Sequence, residues 1–358
     1  MKCSALLRSA AAALVCLSAA SARAQSAATT SRAGFGYTAA EFMPDSEITS
    51  ALPLLASQRV GLALPFAAAE LASTPHFALA AQATALGVEI RPWLLLPDAD
   101  GYWPGSTNAS EYDIYARRLV DAWSEAGLKP TTFVVDMEMP LARAQRYAQL
   151  ATAFDTTNLL SFLKQGIDRS QYAAATRIYR DLVVYLHSKG WRVQVTTLTQ
   201  IVDDYADGDD GLRQAFNVPL EGIAWDEVNI QVFRSLNEFV VKSIAGPTTS
   251  YYVFDYALRT RLLWGARGGV GIGCTDPGDL EPGAPSYRDG NQLREDIDAA
   301  ALAGVPRNLL GVYQLRGIVR RPPVSQWFPA RSLIAFPPLP DLATVLTHTT
   351  TAVLDAAL

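Results

Sequence analysis

Short apolar runs alternate with longer amphipathic segments along most of the chain. Eight of the apolar runs have the length and the β-branched or aromatic content of strands: 34–37, 59–66, 88–97, 131–140, 191–200, 226–235, 268–278 and 308–317. Helical spacing of apolar residues fills several intervals, most clearly 110–128, 170–190, 249–265 and 291–304. Serines precede the first two of these helical segments and a glycine ends each. The pattern therefore predicts a strand–helix unit that repeats eight times.

Eight strands separated by helices are what a (β/α)8 barrel, or TIM barrel, requires. The strand cores are apolar throughout, as expected of a parallel sheet that helices cover. An open doubly wound sheet is the alternative, but it would usually carry a glycine-rich phosphate loop after its first strand, and the sequence has none there. We therefore predict a single α/β domain, a TIM barrel over 25–325, with a proline-rich tail and a final helix over 326–358 packed on the barrel.

The first 24 residues have the pattern of a secretory signal peptide. Two basic residues flank the start of an apolar run rich in alanine and leucine, and the small-x-small sequence Ala22-Arg23-Ala24 follows it. The run is too short for a convincing membrane span, which needs about 20 apolar residues. We expect cleavage before Gln25 and a secreted or periplasmic mature protein.

Composition and charge narrow the classes of function. Apolar residues make up 49% of the chain and charged residues 18%, which is typical of a folded globular protein. The formal net charge of −5 gives no electrostatic reason to bind nucleic acid or an anionic membrane. Beyond the leader the only cysteine is Cys274, and the three histidines are widely spaced. We expect a monomer with no disulfide, no metal and no other cofactor.

The segment 131–140, TTFVVDMEMP, carries the clearest candidate chemistry. Side chains alternate along a strand, so Asp136 and Glu138 face the same way, toward the barrel axis if the apolar residues between them meet the helices. Active sites of TIM barrels lie at the carboxyl ends of the strands. Two neighbouring carboxyls in a partly dry pocket do not both ionise readily, and so one can act as a general acid. A structural pair held by arginine and backbone donors is the alternative.

An Asp-x-Glu at the end of the fourth strand resembles the family 18 chitinases, the hyaluronidases and the family 25 lysozymes. The resemblance implies that Glu138 is the proton donor and that Asp136 orients a 2-acetamido group of the substrate, which acts as the nucleophile. It also implies a substrate contact for Gln231 and places Tyr313 where those enzymes have an aromatic floor. The chain departs from the chitinase pattern because Thr131–Val135 lacks the upstream acids.

Aromatic residues are concentrated in and after the third predicted strand. Trp93, Tyr102 and Trp103 could form a platform for the apolar faces of sugar rings. Ordinary core packing is the alternative for Trp93, because it lies within the strand. We expect all three residues to contact a carbohydrate.

Other charged residues near predicted strand ends are further candidates. Asp276, after the seventh strand, could contact substrate or supply another carboxylate, although Asp-Pro-Gly is also a turn sequence. Arg91 could contact substrate or hold Asp136 ionised, with Arg234 and Arg316 as alternative partners.

The acidic stretch 203–211 has two interpretations. Asp203 and Asp204 follow the fifth predicted strand and could supply a second catalytic carboxylate. The stretch also has the composition of a calcium loop, but it lacks the twelfth-position glutamate and the spacing of one. We interpret it as a solvated acidic loop.

These residues together predict an exported glycoside hydrolase that acts on a polysaccharide or glycan. A carbohydrate-binding barrel without catalysis is the alternative, and an enzyme of another class, such as a lyase, is a third. Serine-hydrolase chemistry is disfavoured because the Gly-x-Ser-x-Gly motif is absent. Cys274 is disfavoured as a nucleophile because no histidine is predicted beside it.

Export is testable on the full-length chain. We expect the mature protein to begin at Gln25, as measured by intact mass and amino-terminal sequencing of extracellular or periplasmic material. Ala24→Leu should block cleavage because signal peptidase needs a small residue there. Ala27→Leu, three residues on, should be processed normally. Recovery of wild-type chain with residues 1–24 intact would contradict the interpretation.

Overall fold

The computed structural model describes residues 32–72, 74–153, 155–277, 286–332 and 336–358. The predicted leader at 1–24 lies outside the described residues. One compact unit spans Ala33–Leu358. Within the described segments, no helix combines the length and the apolarity that crossing a bilayer requires.

Eight parallel strands form a closed barrel in which each strand pairs with the next and the last pairs with the first. They are β1 Tyr37–Ala39, β2 Gly61–Ala67, β3 Ile90–Leu95, β4 Thr132–Asp136, β5 Arg192–Leu198, β6 Glu227–Val232, β7 Gly268–Gly273 and β8 Leu310–Tyr313. The predicted TIM barrel is thereby confirmed. Seven strands lie entirely or largely within their predicted runs. The exception is β1, which begins at the last residue of its predicted run, 34–37.

Thirteen α-helices lie within the described segments. They are α1 Asp45–Gln58, α2 His76–Ala85, α3 Ala109–Glu125, α4 Leu141–Thr152, α5 Thr156–Lys164, α6 Arg169–Ser188, α7 Gln200–Asp207, α8 Gly211–Ala215, α9 Arg234–Ala245, α10 Ser250–Trp264, α11 Gly290–Leu302, α12 Leu315–Arg320 and α13 Leu342–Asp355. Most are connections between consecutive strands of the barrel, as the parallel topology demands.

Helix α6 shows how local sequence sets the element boundaries. The Asp168 side chain accepts a hydrogen bond from the backbone nitrogen of Gln171 (2.9 Å), so the cap lies two residues before the serine at the start of the predicted helix. Gly190 follows the helix with φ +84°, a left-handed conformation in which glycine has no Cβ clash. The helix therefore ends where the chain must turn into β5.

Side chains of β4 divide between the two cores of the barrel. Phe133, Val135 and Met137 are fully buried in the large core between strands and helices. Val134 instead packs inside the barrel with Trp93. This alternation directs the side chains of the acids at positions 136 and 138 into the barrel interior, as the sequence predicts.

A buried layer of polar side chains fills the barrel below Trp93 and Val134. Arg91 donates from one Nη1 atom to Glu227 (2.8 Å) and to Gln194 (2.7 Å), and its guanidinium lies 4.4 Å from the centre of the Tyr37 ring. All four side chains are buried. The expectation that Arg91 contacts substrate or Asp136 is therefore wrong, since its charge is neutralised inside the barrel.

The carboxyl-terminal helix α13 packs against the outside of the barrel. His348 bridges two other helices, with Nδ1 2.6 Å from Asp203 on α7 and Nε2 2.8 Å from Asp255 on α10. Thr347 adds a hydrogen bond to Asn237 on α9 (2.9 Å). Polar side chains therefore join the last helix to three helices of the barrel.

The His348 bridge predicts a pH-dependent contribution to stability. Burial alone would lower the pKa of His348, but its hydrogen bonds to Asp203 and Asp255 raise it from 6.5 to about 9. The contribution is therefore full below pH 6.5 and is lost as pH rises through about 9. We expect His348→Gln to lower the free energy of unfolding by about 1–2 kcal/mol at low pH, since solvent partly screens the bridge. Urea denaturation across pH measures this difference.

His187→Gln is the matched control, because His187 pairs with Asp226 at a more exposed site, where the side chain is 36% accessible. That variant should change stability by less than about 0.5 kcal/mol. A loss for His348→Gln that stays constant from pH 6 to pH 10 would contradict a charged bridge and indicate packing alone.

Candidate active site

A cleft of about 390 Å³ lies at the carboxyl end of the barrel, formed by strand ends and the loops that follow them. Four carboxylic acids line it: Glu41, Asp98, Asp136 and Glu138. Seven aromatic residues line it as well: Tyr37, Phe42, Trp93, Tyr102, Trp103, Phe233 and Tyr313. Acidic groups within aromatic walls are suited to binding a small polar ligand and transferring protons to it.

A second, larger groove lies between α5 and α13, with a volume of about 860 Å³. Threonines and aliphatic residues make up most of its walls, and Lys164 is the charged residue among its described lining. The groove therefore lacks the carboxyl groups that acid–base chemistry needs, and the candidate site is the smaller cleft.

Asp136 and Glu138 are joined by one amide. The Gln231 side chain, from β6, donates from Nε2 to Asp136 (2.9 Å) and to Glu138 (2.7 Å). The two carboxyls are close enough for the charge of Glu138 to raise the pKa of Asp136. Both acids are less than a tenth exposed. The pair is therefore one unit with a fixed donor on its β6 side.

Burial controls the protonation of this pair. Burial raises the pKa of Asp136 well above its usual value, and repulsion from Glu138 and Glu41 raises it further. Burial also raises the pKa of Glu138, which the hydrogen bond from Gln231 limits to about 7. The pair consequently retains a proton near neutral pH, as a general acid requires.

A close backbone approach fixes the position of Glu138. The Glu138 nitrogen donates to the carbonyl of Pro104 (3.1 Å), and the Met137 nitrogen donates to the carbonyl of Thr196 (2.8 Å). A Cβ atom on Gly105 would lie 3.0 Å from the Glu138 carbonyl oxygen and 2.9 Å from that of Asn217. Only glycine fits there, and so the loop after β3 holds the end of β4.

Glu41, after β1, is a site residue that sequence reasoning missed. Its carboxylate accepts hydrogen bonds from the hydroxyls of Tyr102 (2.6 Å) and Tyr313 (2.5 Å), and the residue is 5% exposed. Burial raises its pKa although both tyrosines oppose that shift. The available signal was an acid between apolar Ala40 and Phe42, but the first strand was predicted to end at residue 37.

The predicted aromatic residues come together in the cleft. Tyr102 and Trp103 are half-buried, with ring centroids 5.1 Å apart and planes at 83°. Trp93 is 5% exposed, and its Nε1 atom has no hydrogen-bond partner among the described residues. Tyr313, at the end of the strand that pairs with β1, packs with its ring centroid 5.4 Å from that of Phe233. Gln231 lines the same cleft, so these positions are compatible with the substrate contacts predicted for them.

Asp276 and the alternative arginines lie elsewhere. Arg316 binds Asp276 through a short hydrogen bond, and Asp276 is not part of the cleft lining. Arg234 binds Asp296 (2.9 Å). The expectations of a substrate contact for Asp276 and of an arginine partner for Asp136 are therefore corrected, because these charges neutralise one another outside the cleft.

Asp203 and Asp204, after β5, are structural rather than solvated. They lie in helix α7, whereas a loop was expected over 203–211; the loop is confined to residues 208–210, where Asp209 is exposed. Asp204 is fully buried, accepts from the Leu212 nitrogen (2.9 Å) and pairs with Arg213 (3.1 Å). Cys274 is also buried, and burial raises the pKa of its thiol to about 12, which disfavours a nucleophilic role.

Comparisons with known proteins show the fold alone. No protein-family model and no curated protein sequence matches the chain. The glycoside hydrolase domain of PgaB (BpsB) from Bordetella bronchiseptica is 14% identical, with a TM-score of 0.48, over 86% of this chain and 100% of that one. A D-allulose 3-epimerase from Methylomonas sp. is 11% identical, with a TM-score of 0.41, over 92% of this chain and 99% of that one. An L-ribulose 3-epimerase is 13% identical, with a TM-score of 0.40, over 91% of this chain and 94% of that one.

Because Asp136 is buried beside other carboxyls, we predict that replacing it with a neutral residue increases stability. Asp136 has its pKa raised by folding, so its ionisation opposes folding once pH exceeds its ordinary value of 3.8. We expect Asp136→Asn to raise the free energy of unfolding by about 1–3 kcal/mol near pH 8 and by little near pH 4. Denaturant titration at both pH values measures the difference.

Asp113→Asn provides the control, because Asp113 forms a partly exposed pair with Arg117 on α3 (2.9 Å). Its effect should stay within about 0.5 kcal/mol at either pH. If Asp136→Asn lowers stability near pH 8, the acid pair is a net stabilising feature and the expected increase is wrong.

Proposed function

We propose that this protein is an exported glycoside hydrolase that cleaves a polysaccharide or glycan, with Glu138 as the proton donor and Asp136 as the assisting carboxylate. The observation that carries the proposal is the pair of buried carboxyls bridged by Gln231, which lies at the carboxyl end of β4 in an open cleft. Aromatic walls around the pair support a sugar ligand, because flat rings suit the apolar faces of sugar rings.

Proton transfer to the leaving oxygen is the step that the geometry supports. The proton retained near pH 7 passes from Glu138 to the glycosidic oxygen as the bond to the anomeric carbon breaks. Asp136, once ionised, lies beside the positive charge that develops on the sugar. In the families that the motif resembles, the 2-acetamido group of the substrate is the nucleophile, and the resemblance gives Asp136 the role of orienting that group.

Gln231 has a distinct part in this scheme. Its amide hydrogens point at both carboxyls, so it stabilises their ionised forms and opposes the effect of burial. In the proposed enzyme, burial raises the pKa of the two carboxyls and so retains the proton, whereas the hydrogen bonds from Gln231 lower the pKa and favour release of the proton. We propose Trp93, Tyr102, Trp103 and Tyr313 as the surfaces against which sugar rings pack.

Replacing the proposed donor is the direct test. We expect Glu138→Gln to lower kcat/KM by about 10²–10⁴-fold, because the glutamine keeps the shape and cannot donate the proton. Wild-type kcat/KM should fall as pH rises through about 7, where Glu138 loses its proton. Substrates are sought in a panel of chitin, peptidoglycan, plant and algal glycans, with binding and released products measured together.

Glu47→Gln is the matched control, since Glu47 pairs with Arg320 on the surface outside the cleft (2.8 Å). That variant should retain wild-type rates. Normal turnover by folded Glu138→Gln protein would refute the assignment. Binding of a glycan by wild-type protein without any product would favour the alternative of a carbohydrate-binding barrel.

A further inference from the structure

The charges that line the cleft all have one sign. Its four acidic residues are accompanied by no lysine, arginine or histidine among the described lining residues. Asp98 is exposed at the rim, and the other three acids are buried. A carboxylated, sulfated or phosphorylated ligand would therefore meet repulsion at every depth of the cleft.

The cations of the barrel interior and its upper edge are engaged by other acids. Arg91 lies below the cleft with Glu227, and Arg316 binds Asp276. Glu41 forms no ion pair among the described residues. The neutral hydroxyls of Tyr102 and Tyr313 donate hydrogen bonds to it, and the charge of Arg316 adds a smaller stabilisation of its ionised form. A buried carboxylate that forms no ion pair is costly, even with two good hydrogen bonds. A positively charged ligand would remove that cost.

The aromatic walls fit the same ligand. Tyr102 and Tyr313 hold Glu41 between them, so a group that reaches this carboxylate also meets the two tyrosines. Cations bind favourably against aromatic faces. Trp93, buried within the same cleft, presents an indole N–H that has no partner among the described residues. That donor calls for a ligand oxygen, such as a hydroxyl, close to the charged group.

We infer that the cleft selects a sugar bearing a free amine, and that Glu41 receives the ammonium group while Trp93 donates to a sugar oxygen. The inference rests on the proposed function, because it names the substrate class of the same cleft. A hexosamine residue combines an ammonium group with neighbouring hydroxyls. Its N-acetylated form is neutral and forms no ion pair with Glu41, and an acidic sugar is repelled.

The test compares three oligosaccharides of equal length: one of glucosamine, one of N-acetylglucosamine and one of galacturonic acid. Glu138→Gln protein binds them without turnover, and calorimetry measures each Kd at a pH where the glucosamine amine is protonated. We expect the glucosamine oligosaccharide to bind about tenfold more tightly than its N-acetylated counterpart, as one charge-assisted hydrogen bond allows. Its affinity should fall as salt is added.

Two further substitutions assign the effect to single residues. Adding Glu41→Gln to the Glu138→Gln protein should abolish the preference for the amine and its salt dependence. Adding Glu47→Gln, the same change of charge on the surface, should leave both unchanged. Circular dichroism establishes that each variant is folded, and the comparison of the three oligosaccharides stands even if the Glu41 variant does not fold.

The outcomes separate this inference from the proposed function. Equal or tighter binding of the N-acetylated or the acidic oligosaccharide overturns the inference, as does binding of none of the three. If wild-type protein also hydrolyses a neutral glycan without preference for amines, the proposed function stands and only the inference fails. If the glucosamine oligosaccharide binds selectively but no glycan is cleaved, the ligand class stands and the hydrolase assignment fails.

Discussion

Closure of a parallel barrel is the constraint from which the rest of this structure follows. Every second residue of each strand must point into a narrow interior, and that interior must be filled or left open to ligand. Here the lower layer is filled by the ion pair of Arg91 and Glu227, and the layer above it contains Trp93 and Val134. The space above them remains open as the cleft. Asp136 lies there because it is two residues beyond Val134 on the same strand face.

Charge is distributed unevenly between the two ends of this interior. At the lower end the charges of Arg91 and Arg192 compensate Glu227. At the upper end three buried carboxyls share hydrogen-bond donors from Gln231 and two tyrosines. Proteins often carry such destabilising groups where function requires them, and the remaining core compensates for the cost. The cleft is therefore electrostatically strained, which is consistent with the proposed role of the acid pair in proton transfer.

The two catalytic candidates reach their positions by different means. Asp136 ends β4 and owes its direction to the pleat of the strand. Glu138 lies beyond the strand, and the loop after β3 fixes its backbone through Pro104 and Gly105. A site built partly on a strand and partly on packed loop backbone combines a rigid base with contacts contributed by distant sequence.

Local sequence determined the repeating elements and the direction of the β4 acids, because hydrophobic spacing and side-chain alternation act over a few residues. The eight strands, and the placement of Trp93 within β3 and of Tyr102 and Gln231 near strand ends, follow from that pattern. Tertiary structure alone decided which charges meet. Arg91 was expected near Asp136 but pairs with Glu227, 136 residues along the chain. Glu41 joins the site only because barrel closure brings β1 beside β8, where a tyrosine 272 residues further along the chain donates to it. Such long-range pairing has no periodic signal in the sequence, since it depends on the packing of the whole barrel.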